Sequence, residues 1–212
     1  MTTRIADVEI PDSALTREAT ELVRDSAGEL LYDHSRRVFL FGALRGHHRD
    51  LEFDPELLYV AALFHDLGLT AKYADSEQRF ELDGADMARD FLLRHELSVD
   101  RARTAWTAIA LHTTPQIPWR MEPEVALVTA GVEHDVLGLG FEEITSEQRA
   151  AVVAAHPRPD FKRRILAAFT NGIAHRPETA FGNVKADVLA HFSPGFVRTD
   201  FVSMIENSRW PE

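Results

Sequence analysis

Residues 57–70 read LLYVAALFHDLGLT, an apolar run that ends abruptly in a histidine and an aspartate. Asp54-Pro55-Glu56 stands just ahead of it, an acidic cap with proline in the first turn, and this starts a helix. The helix stops near Gly68. Leu58, Ala61, Ala62 and His65 share one face, so His65 points into the core, with Asp66 about 100° further round. An imidazole and a carboxylate at that depth are costly unless something compensates them, and a metal ion does so directly.

The same helical periodicity extends in both directions from this stretch. Asp12 and Ser13 cap a predicted helix through about Ser26, and a second covers roughly Glu29 to His48. Further along, Asp83 opens a helix carrying GADMARDFLLRH, and Ser98 opens one through His112. An apolar helix is predicted from about Glu122 to Leu137, ended by Gly138 and Gly140. Thr145 and Gln148 have capping-box spacing for a helix that ends before Pro157. Helices are also expected over Pro159–Ala174, Asn183–His191 and Arg198–Asn207. Alternating strand patterns are nearly absent, so the expected class is all-α. The expected organisation is an arm over residues 1–11 and a single helical domain over 12–212, with His156-Pro157-Arg158-Pro159 turning the chain within it.

Three further polar residues sit on apolar helix faces as His65 does. His34 lies with Leu30, Leu31, Val38 and Phe41; His112 follows Trp106 and Ile109; Asp135 lies beyond Val128, Gly131 and Val132. Each has an ordinary reading alone: a satisfied core histidine, a helix end where imidazole meets free carbonyls, a cap on the turn into Gly138. Jointly they project into one cleft. His47, His48, His95, His156, His175 and His191 read as surface residues, and His134 as a neighbour of the cleft.

With no cysteine in 212 residues, disulfides, thiolate nucleophiles and cysteine-ligated metals are excluded, so any metal takes nitrogen and oxygen ligands. The formal net charge of −11 disfavours nucleic-acid polymers and anionic membranes as partners and leaves small molecules, including a nucleotide held by an arginine pair. The opening MTTRIADVEIPDS lacks the apolar segment of a secretory signal, and no run is long enough to span a bilayer, so the cytoplasm is the default.

The series His34, His65-Asp66, Asp135, set in LYDHSRRVFLFG, LLYVAALFHDLGLT, AIALHTT and GVEHDVLGLG, resembles the HD-domain metal-dependent hydrolase superfamily over about residues 28–140. That resemblance implies a helical bundle in which His34, His65, Asp66 and Asp135 bind the metal. The segments Tyr32-Asp33-His34-Ser35, RFELDGA (79–85), ALHTT (110–114) and PRPDFK (157–162) resemble the cyanamide hydratase-like branch, through about residue 180. Members of that branch are zinc-dependent and add water to a nitrile-like carbon. Phe80 stands where many dinuclear members carry a histidine, which implies one divalent metal, zinc foremost, with iron, manganese or nickel also suited to these donors. The lysine often found after the His-Asp pair in phosphohydrolases is absent; Thr70 is in that neighbourhood, with Lys72 two residues on.

Such a site lowers the pKa of a bound water and makes it the nucleophile. Asp66 is the expected proton acceptor, and His112 orients or protonates the developing anion. Phe80, Thr113, Thr114 and Trp119 are expected to line a small pocket. Arg36 and Arg37 suit a solvated helix face, and Arg37 is also the candidate substrate contact if a phosphate is bound. The expected activity is hydration or hydrolysis of a small molecule, with an HD-type phosphohydrolase acting on a nucleotide or phosphomonoester as the alternative. A non-enzymatic sensory module and a di-iron oxygenase are weaker readings. Oligomeric state is open, since Phe192, Phe196, Phe201 and Trp210 can pack on the core or on a second subunit, as in a homo-oligomer.

Overall fold

Ser13 opens the longest helix, α1 (Ala14–His48); its hydroxyl accepts from the Thr16 backbone while Thr16 caps it in return. At Gly28 the backbone leaves helical space with φ 67° and ψ 170°, which glycine tolerates at little steric cost, and α1 bends there. The two helices read from the sequence are thus one bent element, with its corner where they were expected to part. The computed structural model describes residues 3–207 and Arg209. Trp210, one of the aromatics considered for packing, lies outside the described residues.

The remaining helices follow in order: α2 (Pro55–Phe64), α3 (Phe80–Arg94), α4 (Val99–Leu111), α5 (Pro123–Val132), α6 (Ser146–Ala155), α7 (Phe161–Ile173), α8 (Lys185–Phe192) and α9 (Phe201–Glu206). Asp54 caps α2, Ser98 caps α4, and Thr145 with Gln148 forms a capping box on α6. The only β structure among the described residues is a hairpin of Arg4–Ile5 with Val8–Glu9 in the N-terminal arm. It pins the arm down by burying Val8 and Ile10. The all-α class read from the sequence is the class observed.

Two expectations change. The helix over GADMARDFLLRH begins at Phe80 rather than Asp83, and Asp83 is buried in an ion pair with Arg176 instead of capping. The last helix is shorter than expected, and Phe201, Val202, Met204 and Ile205 on it are exposed. Among the described residues no helix is long and apolar enough to cross a membrane.

Helix α1 packs on α2 and α5, and α4 packs on α2, α3 and α5. Their apolar faces form the main core around Phe39, Leu58, Phe64 and Phe91. A second, smaller core of Leu31, Leu69, Phe80, Phe161, Ile165 and Leu189 is made where α7 and α8 close over the end of α2. Close helix approach beside that end depends on Gly84. A Cβ there would lie 2.7 Å from the Phe64 carbonyl oxygen and 3.2 Å from that of His65.

The Gly84→Ala variant should therefore lose about 1–3 kcal/mol of stability through overpacking. Urea unfolding measures this, and an unchanged midpoint would contradict the close approach of α3 to α2.

Candidate metal centre

Helix α2 ends at Phe64, and His65 (φ −58°, ψ −34°) is the last residue in helical conformation. Asp66 turns out of the helix (φ −105°, ψ 7°), and a 3-10 turn over Leu67–Leu69 carries the chain away. His34 comes from α1, and His112 follows the last residue of α4. All four side chains are buried.

Hydrogen bonding assigns the tautomers. His65 Nδ1–H donates to the Ala62 carbonyl at 2.7 Å, and His112 Nδ1–H donates to that of Ile109 at 2.6 Å. His34 Nδ1–H donates to Asp135 Oδ2 at 2.6 Å. In its neutral form each ring thereby presents Nε2 as a lone pair; burial opposes a charge on His65, but Asp66 outweighs it and raises that imidazole above its ordinary value. The Nε2 atoms of His34 and His65 are 3.2 Å apart, and Asp66 Oδ2 lies 3.5 and 3.3 Å from them. His112 Nε2 lies 3.6 Å from Asp66 Oδ1. Both Asp66 oxygens and His112 Nε2 are buried with no hydrogen-bond partner. This is a nest of acceptors without a protein donor, the arrangement that a bound cation satisfies directly.

Ligating atoms of His34, His65 and Asp66 all lie within 4.8 Å of one another, as a shared ion requires. Histidines that bind metals are held in this way, by the ring N–H opposite the metal. Burial pushes the His34 imidazole down, against the pull of Asp135, which keeps it neutral. Burial also opposes ionisation of Asp66, but His65, His112 and His34 outweigh it and hold the carboxyl well below its usual range.

Residues 31–154, more than half of the chain, match the HD-domain family. The chain belongs to the HD-domain family. No curated protein matches the sequence. HD-domain proteins are in general metal-dependent hydrolases that bind divalent ions, and the His34, His65 and Asp66 cluster fits such an ion here.

Asp135, the fourth expected ligand, is set behind His34, on the Nδ1 side of its ring. It sits on a π-helical turn (Glu133–Leu137) that follows α5 and closes at Gly138 in the left-handed conformation. Arg37 grips both its oxygens at 2.9 Å, and Arg158 Nε–H donates to Oδ1 at 2.9 Å. With His34 on Oδ2 as well, this carboxylate is saturated, and these partners hold it far below the usual carboxylate range despite burial.

The other expected residues divide. Thr113 and Thr114 line a cavity of about 180 Å³ with His34, His65, Asp66 and His112. Phe80 does not reach it; its ring stands edge-on to His112, 5.6 Å between centroids, one layer behind. Trp119 is also elsewhere, because its ring is held by the guanidiniums of Arg45 and Arg49 at 4.9 and 4.4 Å. Its indole N–H reaches Glu133, which does line the cavity. Arg37 does not line this cavity; its Nη1 donates to the His156 and Pro157 carbonyls. Nor do Arg36 and Arg37 form a solvated face, since both are buried, as is His156. His134 turns away to stack with Phe141 and pack on Phe41.

The sequence reading missed Arg158 and Lys185. Glu81 is fully buried; Oε1 pairs with Lys185 at 2.6 Å and Arg79 at 2.9 Å and accepts the Thr113 hydroxyl at 2.6 Å. Burial pushes Lys185 down to about 8, still cationic at neutral pH. Arg158 had one signal in the sequence, a charge between two prolines; Lys185, a lysine in a short exposed-looking helix, had none.

Truncating Arg37 to methionine should cost about 3 kcal/mol, because Asp135 stays buried with only His34 and the partly exposed Arg158 as partners. Chemical denaturation measures it; a loss under 1 kcal/mol would remove that role. A second expectation concerns pH. Burial opposes the Glu81 charge, but Arg79 and Lys185 outweigh it and bring the carboxyl from 4.5 to about 2. Its depressed pKa adds stability that is complete above about pH 4.5 and is lost as pH falls towards 2. Stability of Glu81→Gln should fall less steeply through that window, as followed by urea unfolding at successive pH values.

Proposed function

We propose that this HD-domain protein adds water to a small, neutral, nitrile-like molecule or hydrolyses a related one, using a single divalent ion, zinc foremost. The observation that carries this reading is the wall of the cavity over the cluster. Beyond the cluster it is lined by Thr113, Thr114, Pro115, Val132, Glu133, Val136, Leu137, Phe169 and Val184, without a lysine or arginine. The two guanidiniums behind His34, Arg37 and Arg158, are committed to Asp135. Phosphoryl transfer draws on cations placed around the phosphate, whereas a neutral substrate needs none. A volume of about 180 Å³ suits a molecule of a few heavy atoms.

In this reading His34, His65 and Asp66 hold the ion through the two Nε2 atoms and the carboxylate. An ion so held supplies Lewis acidity and makes water nucleophilic near neutral pH. Asp135 acts through His34, keeping its proton on Nδ1 and its lone pair on Nε2. His112 presents an unpartnered Nε2 at the same cavity, where it takes a proton from the attacking water and returns it to the substrate nitrogen. Thr113, anchored on Glu81, and Thr114 orient the substrate, and Phe169 and Val136 exclude bulk water.

The phosphohydrolase alternative has one observation in its favour. An adjoining cavity of about 770 Å³ shares Thr113, Thr114, Pro115 and Val184 and has Arg79 and Arg198 in its wall. Both are already paired, with Glu81 and Asp187.

Elemental analysis of purified protein should find about one divalent ion per chain. His65→Ala and Asp66→Ala should lose the ion and, by more than about 100-fold, turnover of cyanamide or a simple nitrile. Full metal content in both variants would overturn the site. Phosphate release from simple esters or deoxynucleotides, with no hydration, would move the assignment to the phosphohydrolase.

A further inference from the structure

We propose that Arg36 is the anchor of a second binding site, for a small oxyanion group (phosphate or carboxylate), separate from the metal centre. Among the described residues four arginines are buried: Arg36, Arg37, Arg45 and Arg176. Three of them meet a carboxylate, respectively Asp135 for Arg37, Glu143 for Arg45 and Asp83 for Arg176. Arg36, only 7% exposed, meets none among the described residues. Its Nη1 donates to the Tyr59 hydroxyl, and its Nε donates to His156 Nε2 at 3.4 Å. Both partners are neutral. Burial raises the Tyr59 phenol above its ordinary value and lowers the His156 imidazole below its own. The nearest carboxylate in this chain of contacts, Asp33, is reached only through His156, whose Nδ1–H donates to it at 3.0 Å. Arg36 Nη2 makes no hydrogen bond among the described residues.

A buried guanidinium with no counter-charge is expensive, and the structure leaves room for one. Arg36 and Tyr59 line a cavity of about 310 Å³ with Thr16, Thr20, Arg17 and Arg24. This cavity shares no lining residue with the cavity at the metal cluster. Asp12 and Glu21 also lie on it, and Asp12 is neutralised by Arg17 at 3.0 Å. Three arginines against two carboxylates make it locally cationic on a chain of net charge −11. Arg24 is exposed at the rim, stacked 5.1 Å from the Tyr32 ring and donating to its hydroxyl at 3.0 Å. A guanidinium fork with a free edge, with a second guanidinium at the rim, is the chemistry that recognises phosphate and carboxylate oxygens.

The test is isothermal titration of the full chain with inorganic phosphate and, separately, acetate, against chloride at matched ionic strength. Each is repeated after chelator treatment, because oxyanions also bind divalent ions. Saturable binding should survive chelation and weaken more than about tenfold in both Arg36→Gln and Arg24→Gln. The tighter of the two probes identifies the group. Should Arg36→Gln fail to fold, the exposed Arg24→Gln decides alone. Binding no stronger than chloride would overturn the proposal, as would binding that disappears on chelation or is unchanged in Arg24→Gln.

Discussion

Arg37, Asp135 and His34 form one buried chain of charge and hydrogen bonds on which the rest of the centre depends. The guanidinium holds both carboxylate oxygens at 2.9 Å, and the carboxylate accepts from His34 Nδ1 at 2.6 Å. Its members come from α1 and from the π-helical turn after α5, and Arg158 ties in the segment beyond α6. A chain like this contributes little net stability when whole, because desolvation offsets attraction, but losing one partner leaves the others stranded. It therefore specifies an arrangement more than it strengthens the fold, and what it specifies is the tautomer of His34.

That tautomer has meaning only beside His65, Asp66 and His112. Two of these rings are turned the same way by simpler means, a backbone carbonyl three residues earlier in the helix. A histidine at a helix end that satisfies a free carbonyl and a histidine that offers a metal its other nitrogen are the same residue, seen from its two sides. The cluster lies against both apolar cores: the helices that carry it build the larger one, while Phe161 and Phe80 of the smaller one stand 5.3 and 5.6 Å from His34 and His112. Segments beyond the family match thus complete the surroundings. Phe161 and Phe169 come from α7, and Lys185 of α8 holds Glu81, which in turn holds Thr113.

Sequence by itself determined the helices and the inward aim of His34, His65, Asp66 and His112, because caps, glycines and 3.6-residue periodicity are local signals. The break between Ser26 and Glu29, the Thr145 capping box and the turn at Gly68 were legible for the same reason. Only the tertiary structure decided which partner each polar group meets. Asp135 was readable as an inward carboxylate, but its saturation depends on Arg37, 98 residues away, and on Arg158 across a turn. Trp119 and Phe80 were readable as large and apolar, yet whether they face the cavity or back it depends on how arginines and histidines from other helices arrive. Arg36, Arg37 and His156 looked solvent-facing because charge in a helix usually is, and burial became affordable only where distant hydroxyls, carbonyls and a carboxylate converged. Direction along one helix is a property of that helix; the pairing of charges is a property of all of them together.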